Sequence, residues 1–296
     1  MAQSDLIPAA PAESMAVAPG NRSIGAILID AGRLKVEDAE LILRHQREAG
    51  LPFGDAAIKL GLLTPADVDF ALARQFSYPY LLRGQSSVSE EVIAAYAPFS
   101  PQVEALRALR SQLMLRWFGT DPEHKALAIV GSEHGDGRSY IAANLAVVFS
   151  QLGAHTLLID ADLRNPCQHR LFGVSNRLGL SAVLSGRGGR DSIQRVPGLL
   201  DLSVLPAGAQ PPNPSELLGR SMLRRLVKEL AGDHDVIILD TSPAGETSDA
   251  LNVSICTGAA LIVVRKNAAR AWQLRGVAEG AEKSSVTLVG TVLNDY

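Results

Sequence analysis

The stretch Ala126–Ser139, ALAIVGSEHGDGRS, limits what this chain can fold into more than any other. Its first five residues are continuously apolar, the pattern of a strand covered on both faces. They run into Gly131-Ser132-Glu133-His134-Gly135-Asp136-Gly137-Arg138-Ser139, and the helical run Tyr140–Leu152 follows. Strand, glycine loop, helix is the layout of a phosphate cradle, because glycines let successive N–H groups and the helix N-terminus converge on an anion. Ser139 would place a hydroxyl on a Mg2+ ion. Two departures from the usual G-x-x-x-x-G-K-[ST] loop are visible. Five residues, not four, separate Gly131 from Gly137, and Arg138 stands in the lysine position. The plain alternative is a glycine-rich turn that binds nothing.

Further apolar runs repeat the theme. His155–Arg164 reads as a buried strand ending in D-x-D-x-R, with Asp160, Asp162 and Arg164; Asp235–Pro243 reads as another, ending at Asp240. Ala259–Arg265 and Val286–Asn294 follow helical stretches. Continuous Val/Ile/Leu runs alternating with helices predict an α/β fold, a mostly parallel sheet of the P-loop NTPase type with helices on both faces. Ligands of such sheets bind at the carboxyl ends of the strands, where all of these motifs fall. The chemistry that suits them is transfer of a γ-phosphoryl group, which is mostly positioning and charge neutralisation. Gly135, Asp136, Gly137, Arg138, Ser139 and Tyr140 form the phosphate-binding segment; Ser139, Asp160 and Asp240 are the Mg2+ candidates. Of Asp160 and Asp162, one could bind metal and the other orient or deprotonate a hydroxyl; the sequence leaves open which. Arg138 is bulkier and planar where a lysine is a point charge, so it could bind phosphates yet displace them.

Composition narrows the alternatives. The 296 residues carry 47% hydrophobic side chains, 20% charged ones and a net charge of −3, which offers no electrostatic footprint for nucleic acid. Cys167 and Cys256 lie far apart without metal-ligand spacing, and the six histidines form no H-E-x-x-H or Cys/His cluster. His134, inside the loop, reads as a surface residue. No apolar run approaches the ~18 residues of a membrane span, and the start lacks the charged and apolar regions of a signal peptide. The expectation is a cytoplasmic chain whose membrane role comes through a partner.

The front of the chain is organised differently. Residues 1–21, rich in Ala, Pro and Ser, read as disordered. From Ser23 an internal repeat appears: Gly25, Gly32 and Gln46 recur as Gly54, Gly61 and Gln75, each 29 residues on. Each copy reads as a short helix, a glycine stop, a turn and a second helix, giving a small helical domain over 22–80. Residues 81–100 read as a linker, and 101–296 as the P-loop domain. Pro101–Phe118 opens that domain as one amphipathic helix bearing E-x-x-R-x-x-R: Glu104, Arg107 and Arg110. On spacing alone that motif is a solvated charged stripe.

The 22–80 repeat resembles the N-terminal domain of type II secretion and type IV pilus ATPases, part of which binds cyclic di-GMP. The arginine that precedes the glycine pairs in binders is replaced by Ser23 and Pro52, with Arg22 adjacent, and a protein-docking module is the alternative. The remainder resembles the bacterial tyrosine kinases (BY-kinases), specifically the chain-length-determinant kinases of exosortase-linked exopolysaccharide loci. The motifs are E-x-x-R-x-x-R, Ser132–Ser139, Leu157–Pro166 (LLIDADLRNP), Leu205–Leu218 (LPAGAQPPNPSELL) and Ile237–Pro243 (IILDTSP).

This resemblance implies an ATP- and Mg2+-dependent tyrosine autokinase. It further implies a membrane chain-length-determinant adaptor as partner, and a homo-oligomeric ring docked through Glu104, Arg107 and Arg110. Such a protein sits peripherally on the inner membrane. Asn294, after the last strand, takes the place of an asparagine that reads the base in related folds. Three departures stand out: Arg138 for lysine, Asp240-Thr241-Ser242-Pro243 for D-x-P-P, and Tyr296 alone where a tyrosine-rich tail is usual. Tyr296 is therefore the phosphoacceptor candidate. Arg138 and the single terminal tyrosine keep a second class open, a non-catalytic ATP-binding assembly scaffold. A partitioning-type ATPase is a third; its signature lysine is Glu133 here.

Overall fold

The structure, a computed structural model, describes residues 22–75, 79–268 and 270–295. The disorder expected over 1–21 and the acceptor candidate Tyr296 fall outside them. The chain divides into two compact units, with the boundary between Tyr78 and Pro79.

The first unit realises the repeat as two helical hairpins. α1 (Ile24–Asp30) and α2 (Val36–Ala49) form one; α3 (Phe53–Lys59) and α4 (Pro65–Gln75) form the other. Gly32 and Gly61, just past α1 and α3, adopt φ of +67° and +68°, the left-handed stop that glycine takes without a Cβ clash. The other repeated pair serves packing. A Cβ on Gly54 would lie 2.7 Å from Val68, and one on Gly25 would lie 3.2 Å from the Phe53 ring. Arg33 pairs with Asp67 at 2.9 Å and stacks over Phe70.

The second unit is built on a seven-stranded sheet. In chain order its strands are β1 (Ala126–Val130), β2 (Thr156–Asp160), β3 (Gln194–Val196), β4 (Leu199–Leu205), β5 (Val236–Asp240), β6 (Ala259–Arg265) and β7 (Thr287–Asn294). Their spatial order is β3-β4-β2-β5-β1-β6-β7, all pairs parallel except β3 with β4. The mostly parallel sheet is the one expected. Because strand side chains alternate, β1 feeds two cores. Leu127 and Ile129 join one, beneath α6 (Pro101–Leu113) and α7 (Arg138–Ser150). Ala126, Ala128 and Val130 join the other, beneath α11 (Ser221–Leu230), α12 (Asp249–Thr257) and α13 (Ala271–Lys283).

Two expectations need correction. Residues 81–100 are no linker: Val88, Val92, Ala94, Ala95 and Tyr96 are buried in the core with α7, Ala94 to Tyr96 lying in the short α5 (Ile93–Tyr96). Polar groups of α7 and of Gln151, just past its end, hold this strap. The Asn144 carbonyl accepts from the Ala94 amide at 2.9 Å, while Gln151 donates to the Pro79 and Ala94 carbonyls. The Tyr96 hydroxyl closes the loop on the Val88 carbonyl. The second correction concerns Pro101–Phe118, where the α-helix stops at Leu113 and a π-turn, Met114–Phe118, follows. That turn buries Trp117, whose indole donates to the Ala126 carbonyl at 2.9 Å and whose ring stacks on His124.

Candidate active site

The strand order explains why the motifs meet. From β1 the chain crosses past β5 to β2, and from β5 it crosses back past β1 to β6, so the switch point lies at the carboxyl ends of β1, β5 and β2. Register places Asp160 beside Asp240, and Ile129 beside Asp240 on the other flank. The glycine loop leaves β1 directly above them.

The loop itself is braced from below. Ala244 and Gly245, after β5, donate to the carbonyls of Gly131 and Ser132 at 2.9 and 3.0 Å. A Cβ on Gly245 would stand 2.6 Å from the Ser132 carbonyl oxygen, so only glycine permits this approach. Gly135 and Gly137 take φ of +80° and +93°. Asp136 is buried and turned inward, its Oδ2 accepting the Glu133 amide at 2.9 Å. Arg138 behaves differently from the lysine whose place it takes. It is 6% exposed; its Nε donates to the Thr241 carbonyl at 2.9 Å and its Nη1 to the Glu133 carbonyl. The guanidinium therefore ties the loop to the segment after β5, keeping part of its donor set for other contacts. His134 lies at the surface, 3.4 Å from Glu246.

Below the loop, Asp160 and Asp240 are both fully buried. Asp160 Oδ2 accepts the amides of Cys167 and Gln168 at 3.0 and 2.9 Å, at the start of the short α8 (Gln168–Phe172). Asp240 accepts from the Ser139 hydroxyl and, at 2.8 Å, from the Gln168 side-chain amide. Burial, and then the neighbouring carboxylate of Asp240, hold Asp160 well above the usual carboxylate range. Burial raises Asp240 too, against the Ser139 and Gln168 hydrogen bonds. The same dry, anionic surroundings push the Cys167 thiol up to about 12. Asp162, two residues further along the chain, accepts the amides of Arg164 and Asn165 on Oδ1 at 3.1 and 2.9 Å.

Three buried acceptors here have no partner: Asp160 Oδ1, Asp240 Oδ1 and Gln168 Oε1. Each is costly to bury unpaired, about 1–3 kcal/mol, and hard oxygen donors of this kind suit Mg2+. Among the described residues no group of three or more His, Cys, Asp or Glu side chains could hold a metal alone. The donor set fits a cation that brings phosphate oxygens and water as the rest of its shell.

Beside the loop opens a cleft of about 1020 Å³, lined by Gly137, Tyr140, Ile141, Asn294 and, from the strap and α6, Ile93 and Leu106. Asn294 donates to the Asp136 carbonyl at 3.1 Å, which anchors the loop to the end of β7. Of the predicted phosphate- and base-binding residues, Gly137, Tyr140 and Asn294 line this cleft, whereas Ser139, Asp160 and Asp240 meet beneath the loop through the Gln168 and Ser139 hydrogen bonds. Glu104, Arg107 and Arg110 lie apart from it. Glu104 is outward-facing and pairs with Arg107 at 3.1 Å, while Arg110 donates to the Val148 carbonyl of α7 at 2.6 Å.

Sequence reasoning missed Gln168 and a second polar knot. Asp249, 1% exposed, accepts from Arg164 Nε at 2.7 Å and from the Ser215 hydroxyl. This joins the D-x-D-x-R segment to α10 (Pro214–Leu218) and α12. Ser215 lies inside the N-P-S-E-L-L run, and Ser242, where D-x-P-P has a proline, faces Asp249 at 3.5 Å. The signal was present in the quoted motifs, but only the fold pairs their polar members.

No family model matches the chain. Relatives do. The tyrosine-protein kinase YwqD of Bacillus subtilis is 32% identical over 209 residues, which are 71% of this chain and 87% of YwqD. This chain belongs to the bacterial tyrosine-protein kinase family. The tyrosine-protein kinase Etk of Escherichia coli is 37% identical over 203 residues, 68% of this chain but only 28% of that longer protein. Among solved structures, the kinase domain of Etk superposes with a TM-score of 0.65 at 35% identity, covering 69% of this chain and 79% of that one. The chimerical protein CapA2B2 gives 0.65 at 34% identity, covering 75% and 96%. A wider fold relationship reaches the septum site-determining protein MinD of Pyrococcus horikoshii with Mg-ADP, with a TM-score of 0.51 at 25% identity over 57% of this chain and 70% of MinD.

Proposed function

We propose that the chain is an ATP- and Mg2+-dependent protein tyrosine kinase that acts on itself or a partner in exopolysaccharide synthesis. The observation carrying this reading is the group of unpaired, buried oxygens of Asp160, Asp240 and Gln168 beneath a glycine loop in a chain of the tyrosine-kinase family. Bound Mg2+-ATP supplies the phosphoryl group and the charge neutralisation its transfer needs. Ser139, Asp160 and Asp240 would hold the cation, and the main-chain amides from Gly135 to Ser139 the phosphates. Tyr140 and Asn294 would wall the nucleoside cleft. Asp162, beside the cation pair rather than in it, orients the tyrosyl hydroxyl and takes its proton. Arg138 keeps the loop closed on Thr241, and its donors not spent on carbonyls would be available to phosphate.

The partner this reading calls for is a membrane chain-length adaptor, which would bring a cytoplasmic kinase to the inner membrane. Among the described residues no helix is long and apolar enough to cross a membrane. The exposed Glu104, with Arg107 and Arg110, is the ring-docking surface. In the front unit each repeated glycine has a turn or packing duty, which favours a protein-docking module over a cyclic di-GMP receptor.

Arg138, tied down by two carbonyls, also supports the second reading, a nucleotide-gated scaffold. Intact mass of the protein before and after incubation with Mg2+-ATP separates the two. A kinase gains 80 Da per phosphate (about, from the added HPO3), loses that gain in Asp160→Asn, and in Tyr296→Phe shows whether the terminal tyrosine accepts it. No gain, even with an adaptor tail present, leaves the scaffold.

A further inference from the structure

Gln168 touches all three motif segments. Its main chain holds Asp160, and its side-chain Nε2 lies 2.8 Å from Asp240 Oδ2 and 3.1 Å from the Ser139 carbonyl. Both side-chain partners are acceptors, so the nitrogen must face them and Oε1 must face the other way. That leaves Oε1 among the unpaired oxygens of the site, in a residue with 0% exposure. A carboxylate is free to turn about its last torsion. Fixing Asp240 Oδ2 to an amide that is itself fixed to Ser139 removes that freedom and leaves Oδ1 presented. The same residue's backbone does this for Asp160, whose Oδ2 is held and Oδ1 unpaired.

We propose that Gln168 is a positioning residue for the catalytic cation. It presets the two carboxylates before the cation arrives and couples them to the first turn of α7, so that the phosphate loop and the cation site form as one object. The proposal rests on the Mg2+-nucleotide reading of the site. Groups that orient metal ligands typically govern metal affinity by about 10–100-fold. A residue that merely packs α8 would instead weaken everything the site does in parallel.

The test uses the full chain. Gln168→Met keeps the volume and removes the amide; Arg170→Met, an exposed change on the same helix, is the control. ADP is titrated calorimetrically without metal, and Mn2+ is then titrated into the ADP-saturated protein and followed by electron paramagnetic resonance. In Gln168→Met the Mn2+ dissociation constant is expected to rise by about 10–100-fold, while metal-free ADP affinity stays within about two-fold and Arg170→Met matches wild type. Mn2+ affinity within about three-fold of wild type, or a parallel loss of metal-free ADP affinity, overturns the proposal. Should Gln168→Met not fold, Gln168→Asn, whose shorter amide cannot span Ser139 and Asp240, is judged by the same criteria. Failure of the wild type to bind ADP at all overturns the nucleotide reading itself, and the proposal with it, and is distinguished because it needs no variant.

Discussion

Replacing Asn144 by alanine should detach the strap that walls the nucleotide cleft. Asn144 sits in α7, fully buried, and makes three contacts: it accepts from the Ala94 amide at 2.9 Å and donates to the Tyr140 and Glu91 carbonyls at 3.0 and 3.4 Å. Truncation strands the Ala94 N–H, which is 0% exposed, at about 1–3 kcal/mol. The Tyr140 contact adds about 0.5–1.5 kcal/mol, and the long Glu91 contact adds little. The sum, about 1.5–4.5 kcal/mol, corresponds to a local opening about 10- to 1600-fold more frequent. Hydrogen exchange followed by mass spectrometry reads this at the strap, where the Ala94 amide should lose protection by that factor. Urea unfolding reads how much of the loss is global. Because Ile93 and Ala97 line the cleft, ATP affinity should fall as well. Unchanged exchange at Ala94 with less than about 0.5 kcal/mol of global loss would refute the reasoning and return residues 81–100 to a linker.

Two further predictions concern buried charge. Burial raises the folded-state Asp240 value from 3.8 to about 6, so in metal-free protein its protonated form is favoured by folding. The associated stability is present below the unfolded value and is lost as pH rises through the folded one. Asp240→Asn should thus be more stable than wild type at pH 8 without metal, by up to about 3 kcal/mol, with the gap closing toward pH 4; a pH-independent gap in urea midpoints would contradict this. Asp249→Ala should destabilise by about 2–4 kcal/mol, since it leaves Arg164 and Ser215 without their buried acceptor. Asp249→Asn, which keeps an acceptor oxygen, should recover about half, as measured by the shift in denaturation midpoint.

Strands and their chemistry could be read from the sequence because fully buried parallel strands are continuous apolar runs, and Asp160 and Asp240 stand where those runs end. The glycine repeat at Gly32 and Gly61 was readable for a similar reason, since a left-handed stop demands a particular residue. Residues 81–100 misled because their serines and glutamates resemble a linker, whereas Val88, Val92 and Tyr96 supply a sparse apolar contact set. The missing clue lay in and just after α7, where Asn144 interrupts a buried apolar stretch and Gln151 caps its end; buried polar groups at such places must find partners. The π-turn at Met114–Phe118 leaves no pattern in propensity. Arg138 and Gln168 were hidden for a different reason: what their donors reach depends on residues 103 and 72 positions away.

The strand order also has a consequence for synthesis of the protein. β5 lies between β1 and β2 and pairs with both, so these two early strands have no edge for each other. Asp240, the register neighbour of Asp160, comes 80 residues later in the chain. Long-range parallel pairing is slow because the intervening loop must close before contacts compensate it. On the ribosome, the centre of the sheet must therefore wait until Val236–Asp240 has emerged, with β1 and β2 exposing unpaired edges meanwhile. The strand that completes the catalytic carboxylates is the same one that ends this vulnerable interval.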